Sequence, residues 1–523
     1  MLRLLRSTVE RVGPTGRNSW TRGEDEAAEK MLKQEKLELT DLFGHYGPFQ
    51  RVVFLFAVTI SMFGAYHNLI ITAVAPDIDH WCGRPPGYEN LTADEWKALA
   101  VPMETRRGEE RFSRCLVRNL TGANETGPCQ LGWEYDHTFY KSTIVDEWDL
   151  VCSRSWLVSL SQSVYMAGYM TSMIVFGQLS DRVGRRTVIC VALSVLLVAG
   201  FSTLLSQSFV AFISLRYFVS LGVSGVGSTS FVLLMEVVGP DLRSFFGLAY
   251  EFGWATGYLV LALVAYLIKS WFYVQLVAMV SALVLVVGFW ILPESPRWLM
   301  ANKKFEQARS LIMEAVERNE KDKEEAEQKF ELLKVEFEKE QPKNVFGKVT
   351  VFDLLKSPVL RKRTLILFCC WFVNSFTYYA MSLNTNDLGG NPYLNFAIAG
   401  AVEFPAYAIS IVIIKRIGRR ISQCGCMVLA GCSCLLTIFF SGRDPAGATK
   451  LSLQGHATHE NVPFGVYGTI CILSGLSVLL LPETRDAQLP DTLLEGEAFQ
   501  MYGTLYGPAE GVTADAPRVQ PCC

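Results

Sequence analysis

Gly177-Gln178-Leu179-Ser180-Asp181-Arg182-Val183-Gly184-Arg185-Arg186 is a polar turn set between two long apolar runs. Lys415-Arg416-Ile417-Gly418-Arg419-Arg420 repeats its R-x-G-R-R core in the second half of the chain, again between apolar runs. The rhythm recurs at another boundary. Leu292-Pro293-Glu294-Ser295-Pro296-Arg297-Trp298-Leu299 follows one apolar run, and Leu481-Pro482-Glu483-Thr484 follows the last. Two related halves joined by a long polar connection suit a two-bundle membrane carrier. A tight glycine turn carrying three guanidinium groups has a physical use in such a molecule. It is expected to ion-pair across the cytosolic ends of the two bundles, as a latch that breaks and reforms.

Outward from these turns the chain is a series of apolar blocks of about 20 residues, the length that crosses ~30 Å of hydrocarbon at 1.5 Å per residue. Ten blocks qualify: Val52–Ala73, Trp156–Gly177, Thr187–Leu205, Phe212–Met235, Phe246–Ile268, Phe272–Leu292, Thr364–Leu383, Leu394–Ile414, Ile421–Ser441 and Phe464–Leu481. Backbone inside a bilayer must satisfy its own hydrogen bonds, so each block is read as a helix and the fold class as all-α polytopic. Composition agrees: 19% of the 523 residues are charged and 50% hydrophobic, where soluble domains carry about 25% charge. A net charge of −3 gives no footprint for nucleic acid.

Basic residues set the orientation. Arg182, Arg185 and Arg186, then Arg243, then Lys415, Arg416, Arg419 and Arg420 fall in alternate turns, while the turns between are nearly bare. Both termini are therefore expected in the cytosol. The stretch 74–155 is then outside, and it holds the three N-x-S/T sequons, at Asn90, Asn119 and Asn124. It also holds Cys82, Cys115, Cys129 and Cys152, an even set suited to two disulfides with three connectivities open. The expected layout is a cytosolic tail at 1–50, a six-helix bundle at 51–292 with its glycosylated loop, a helical cytosolic loop at 293–363, a second bundle at 364–482 and a tail at 483–523. Within the cytosolic loop, Leu311, Ile312, Ala315 and Val316 mark a modest helical stripe. It is read as a solvated insert, with a regulatory docking surface as the sharper alternative.

G-x-x-x-D-R-x-G-R-R and P-E-S-P-R-W-L resemble the major facilitator superfamily. The first outside loop narrows the likeness, with Cys82-Gly83-Arg84-Pro85-Pro86 at its start and Glu147-Trp148-Asp149-Leu150-Val151-Cys152 at its end. So do Asp41-Leu42-Phe43-Gly44, Tyr378-Tyr379-Ala380-Met381-Ser382-Leu383-Asn384 and Val402-Glu403-Phe404-Pro405-Ala406-Tyr407. In order and spacing these resemble the organic cation/carnitine transporter family, grouped with the organic anion transporters.

Charges inside a bilayer are expensive and mark function by default. Glu403 lies mid-span, where a carboxylate would attract an ammonium group, and aromatic faces from Tyr378, Trp371 and Phe231 would add cation–π attraction. The resemblance implies that Phe231 and Tyr378 line the family's central cavity and that Glu403 is its span-8 acid. Glu251 is a second embedded acid, read as cavity or packing with equal weight. Arg216 and Glu236 are expected to find structural partners, and His67 with Asn68 to form a satisfied interior pair.

The family has twelve spans, and the two halves here are unequal. Gly184 precedes Pro293 by 109 residues, but Gly418 precedes Pro482 by only 64. The deficit of about 45 residues matches two helices and a turn, so the family's spans 10 and 11 are expected to be missing. With them would go the family's span-11 charge and the partner of Asp181. A spliced short form, an incomplete gene model and a ten-span carrier each fit this arithmetic. The expected function is secondary transport of small organic cations or carnitine-like zwitterions by alternating access at the plasma membrane. The alternatives are an anion carrier of the same family and a non-transporting receptor or decoy. No constellation for an enzyme, a metal or a cofactor is present in the sequence; the expected partners are a small organic ion and the lipid bilayer.

Overall fold

The computed structural model describes residues 37–106, 109–119, 125–339, 351–383, 390–441, 462–485 and 496–497. Asn124, the 442–461 connection, and most of both tails lie outside them. Ten helical segments stand where the ten blocks were read. The first half contains α1 (Pro48–Leu69), α2 (Trp156–Val183), α3 (Arg185–Thr203), α4 (Phe209–Val237), α5 (Pro240–Ile268) and α6 (Trp271–Ile291). Three helices of the central connection follow: α7 (Pro296–Ala301), α8 (Phe305–Arg318) and α9 (Lys323–Lys339). The second half contains α10 (Pro358–Leu383), α11 (Pro392–Ile417), α12 (Arg419–Ser441) and α13 (Val462–Val478). Among the described residues, eight helices are long and apolar enough to cross a membrane. α2 is diluted by its serines and glutamines, and α13 has only 17 residues.

Small residues bring the helices together, as they do wherever lipid offers no hydrophobic drive for association. A Cβ added at Gly253 would fall 2.2 Å from the Val58 carbonyl, and one at Gly257 would fall 2.1 Å from that of Met62. α5 therefore lies backbone-to-backbone on α1. In the second half, a Cβ at Gly431 would come within 2.6 Å of the Gly468 carbonyl, which seats α12 on α13. The two halves are unequal in depth. The first is filled from the cytosolic side by Phe56, Val188, Leu196, Leu233 and Val237, and towards the outside loop by Leu69, Phe212 and Leu261. The second has a thin core of Cys370, Val373, Met427, Cys471 and Val478.

The outside loop is a small structured cap of three antiparallel two-stranded pairs. β1 (His80–Cys82) pairs with β6 (Trp133–Tyr135), β2 (Met103–Arg106) with β3 (Glu109–Phe112), and β4 (Leu116–Arg118) with β5 (Thr126–Pro128). Of the three open connectivities, the structure has Cys82–Cys129 and Cys115–Cys152. Trp81, Trp96, Ala100 and Val101 make its core. A capping box between Thr92 and Glu95 starts the helix Ala93–Ala100. Arg114 reaches Asp77 at 2.9 Å and Asp79 at 3.2 Å, tying the cap to the end of the first span. Asn90 and Asn119 are exposed.

The helices of the central connection are not a free solvated insert. Ile312, Ala315 and Val316 are buried, Leu311 is half-buried, and α9 adds Ala326, Phe330 and Leu333. They close on Leu42 and Phe43 of the Asp41-Leu42-Phe43-Gly44 segment. Asn319 completes the joint: its Oδ1 accepts from the Phe49 N–H at 3.0 Å, and its Nδ2 donates to the Phe43 carbonyl at 2.7 Å. One side chain thus satisfies an orphan donor at the start of α1 and fixes the chain leading into it.

Candidate functional site

Glu403 lies inside α11, two residues before Pro405, which the helix runs through. Its carboxylate is held by two phenols. Tyr378 of α10 donates to Oε1 at 2.8 Å, and Tyr407, one turn on from Glu403, donates to Oε2 at 3.1 Å. Tyr378 in turn accepts from the indole N–H of Trp254 in α5 at 2.7 Å. A hydrogen-bonded chain of indole, phenol and carboxylate therefore crosses from the first half to the second. Ring contacts of Phe252 with Phe404 (6.0 Å) and Tyr407 (6.1 Å) run beside it.

Glu251 opens the second segment of α5, after a break at Tyr250. It lies within electrostatic reach of Glu403, so two acids face one region. Among the described residues neither forms an ion pair with a lysine or arginine. Phe231 of α4 packs edge-on against Tyr250 at 5.3 Å and so belongs to the same wall. Trp371 shares a face of α10 with Tyr378 but is 68% exposed, outside the hydrogen-bond and ring network. Trp254, Phe252, Phe404 and Tyr407 were not among the residues singled out from sequence. The available signal was spacing: Tyr407 is four residues from Glu403, and Trp254 three from Glu251, each on the acid's own helix face.

The repeated turns are built alike. Gly184 and Gly418 both adopt positive φ, at 106° and 102°, where a Cβ is strained. In each case a glutamate from the later P-E motif caps the helix that follows. Glu294 Oε1 accepts from the N–H groups of Arg185 (2.7 Å) and Arg186 (3.2 Å). Glu483 accepts from those of Arg419 and Arg420, both at 3.0 Å. Burial pushes the Glu483 carboxyl up, but backbone donors from Arg419, Arg420, Thr484 and Arg485 outweigh it and hold it below its ordinary range.

Arg185 is buried and forks onto Glu236 at 3.0 and 2.9 Å, with Asp181 at 3.0 Å. Asp181 itself remains 72% exposed at its side chain. Arg186 donates to the Phe289 carbonyl, while Arg182 and Arg416 are exposed. In this conformation Arg185 and Arg186 bind partners in their own half, Glu236, Glu294 and the Phe289 carbonyl. Among the described contacts here, Arg419 donating to the Ser244 hydroxyl crosses between halves.

Two further expectations change. Glu236 takes Arg185, whereas Arg216 has no carboxylate within ion-pair distance among the described residues; it lies 4.9 Å over the Tyr165 ring and 3.3 Å from Gln162. His67 and Asn68 do not satisfy one another. Asn68 donates to the Gly64 carbonyl, and His67 Nε2 and Asn68 Oδ1 have no partners among the described residues. His80, Cys115 and Cys152 lie close together like metal ligands, but both sulfurs are consumed by the disulfide. A cavity of about 640 Å³ opens at the cytosolic end beside Arg186, Glu294 and Trp298, away from Glu403.

Comparison with known proteins bears on this architecture. The profile of the family described as Sugar (and other) transporter matches residues 114–457. The chain is 31% identical to an organic cation transporter protein of Drosophila melanogaster, over 87% of this chain and 93% of the relative. It is also 31% identical to human solute carrier family 22 member 13, over 87% and 92%. A β-alanine transporter of Drosophila melanogaster is 30% identical, over 87% and 88%. Among solved structures, the proton:xylose symporter bound to 6-bromo-6-deoxy-D-glucose superposes with a TM-score of 0.51 at 15% identity, covering 83% of this chain and 80% of that one. An inward-open xylose transporter of E. coli gives 0.51 at 15% identity, covering 86% and 99%. These likenesses show the fold. With the family profile and the relatives, they make the chain a multi-pass membrane transporter rather than an enzyme: it belongs to the sugar (and other) transporter family of the major facilitator superfamily, within the organic cation/anion transporter group of solute carrier family 22.

Proposed function

We propose that this secondary transporter carries small organic cations or zwitterions by alternating access, with Glu403 and Glu251 as the groups that attract the ammonium end. The observation that supports this reading is the pair of embedded carboxylates, within electrostatic reach of one another and without a described cationic partner. Two like charges in a low-dielectric wall repel, and an ammonium between them removes that cost. Tyr378 and Tyr407 hold the Glu403 carboxylate in place, and the faces of Phe252, Phe404 and Phe231 lie beside it for cation–π contact. The proposed setting is the plasma membrane, with both termini in the cytosol and the disulfide-bonded cap, glycosylated at Asn90, Asn119 and Asn124, outside.

The test is uptake of a radiolabelled organic cation such as tetraethylammonium in cells expressing wild type or Glu403→Gln at matched surface level. The expected result is a loss of tenfold or more in uptake efficiency, the scale of one buried charge-assisted contact. Unchanged cation uptake overturns the assignment. Saturable uptake of an organic anion that Glu403→Gln leaves intact favours the anion carrier. A second reading, a non-transporting short form, draws on the thin core of the second half and the exposed Asp181; it is favoured by the absence of saturable uptake in either protein.

A further inference from the structure

On the loop side of the first half, the described residues leave an unusual concentration of buried polar atoms without partners. Arg216 of α4 is only 4% exposed. Its Nε finds no acceptor, and neither do Gln162 Nε2 and the hydroxyls of Ser161 and Tyr165 find partners. His67 Nε2, within electrostatic reach of Arg216, is also unpartnered. Ser161 and Tyr165 are four residues apart and share one face of α2. Leaving even one such group unmade costs about 1–3 kcal/mol, and a buried guanidinium whose described acceptor is the Gln162 amide oxygen alone, with no carboxylate, costs more. Nearly all these atoms are donors or can act as donors. A cluster of donors around an unpaired cation is complementary to an anion, and the planar guanidinium fork fits a carboxylate best.

Tyrosines flank both this cluster and the acid pair. Tyr165 covers Arg216, and Tyr169 follows it one turn on along the same face of α2. On α10, Tyr379 packs at 5.4 Å on Tyr378, which holds Glu403. We infer that the Arg216 pocket, with Gln162, Tyr165 and Ser161, is a carboxylate subsite, so that the preferred substrate is a zwitterion held at both ends. This deepens the proposed function and rests on its placement of the ammonium at Glu403 and Glu251.

The test measures thermal stabilisation of the detergent-solubilised full-length chain at constant chloride, titrating propylammonium, propionate and β-alanine. Wild type is expected to be stabilised by both single-ended probes, and by β-alanine at lower concentration than by either. Arg216→Gln is expected to weaken propionate and β-alanine by roughly tenfold or more and to leave propylammonium unchanged. Tyr165→Phe keeps the ring over the guanidinium and removes one orphan hydroxyl; it is expected to weaken propionate several-fold, and it serves if the arginine variant does not fold. Propionate binding that is absent, that survives Arg216→Gln, or that chloride reproduces equally overturns the carboxylate subsite. Failure of propylammonium to bind wild type instead overturns the cation reading beneath it.

Discussion

Tyr378 stands at the centre of the site because it is both acceptor and donor: it receives the Trp254 indole hydrogen and passes its own to Glu403. Tyr378→Phe keeps the ring and breaks both bonds. At about 0.5–1.5 kcal/mol for each of the two net hydrogen bonds, cation uptake efficiency should fall by roughly five- to 160-fold without loss of surface protein, read by initial-rate assay. Glu483 allows a pH prediction. Its folded pKa is depressed, so its stabilisation is full above the unfolded value of about 4.3 and is lost as pH falls through the folded one. Wild type should therefore lose more thermal stability than Glu483→Gln as pH is lowered from about 5 to about 2, measured as Tm in detergent. At this scale the sequence was partly legible. An acid inside an apolar run announces Glu403 and Glu251 by cost alone. The partners of a buried arginine do not announce themselves, because Glu236 and Glu294 reach Arg185 through folding rather than spacing.

At the scale of the element, α5 does most to place the site. It lies against α1 through Gly253 and Gly257 and presents Trp254 and Tyr258 to the second half, where Tyr258 packs on Phe396 at 4.3 Å. Gly257→Leu would drive a side chain into the α1 backbone, where no rotamer escapes. Its expected outcome is loss of folded protein, read by surface biotinylation, whereas Gly64→Leu, with open space at its Cβ, should be tolerated. Helices of this kind were the most readable feature of the chain, since an unbroken apolar run of bilayer length has little use in a water-soluble fold. The cap was less readable. Its strands are three or four residues long, too short for alternation to show, and its disulfide pairing depends on a register that only the folded loop sets.

For the whole molecule, two groups of contacts join the halves besides the Arg419–Ser244 bond. One is the Trp254–Tyr378–Glu403 chain in the span interior. The other lies at the loop end, where Tyr393 of α11 donates to the Phe139 carbonyl at 2.8 Å and packs against Tyr140 and Tyr266 at 5.5 and 5.8 Å. If the halves rock, this second group must part. A Tyr140→Cys, Tyr393→Cys double variant, crosslinked by a bifunctional thiol reagent, should lose uptake and recover it on reduction of the crosslink; either single variant should be insensitive. The internal repeat was visible in the two R-x-G-R-R turns, and the structure explains it as one capping device used twice. The Arg216 cluster was not visible, because its members come from α2 and α4 and nothing in either helix marks the absence of an acid.

The outside cap also dictates the order in which the protein is made. β1 pairs with β6 across some fifty intervening residues, and Cys115–Cys152 fastens the cap to the threshold of α2. The pairing needs the whole loop, and the disulfide needs an oxidising environment as well. During synthesis, α1 must therefore wait in the bilayer, its loop end untethered to α2, while ribosome and translocon supply the remainder of the loop. A cell that is slow to oxidise the loop would accumulate chains with correct helices and an unjoined first pair, a population that quality control sees as unfinished although most of its membrane domain is built.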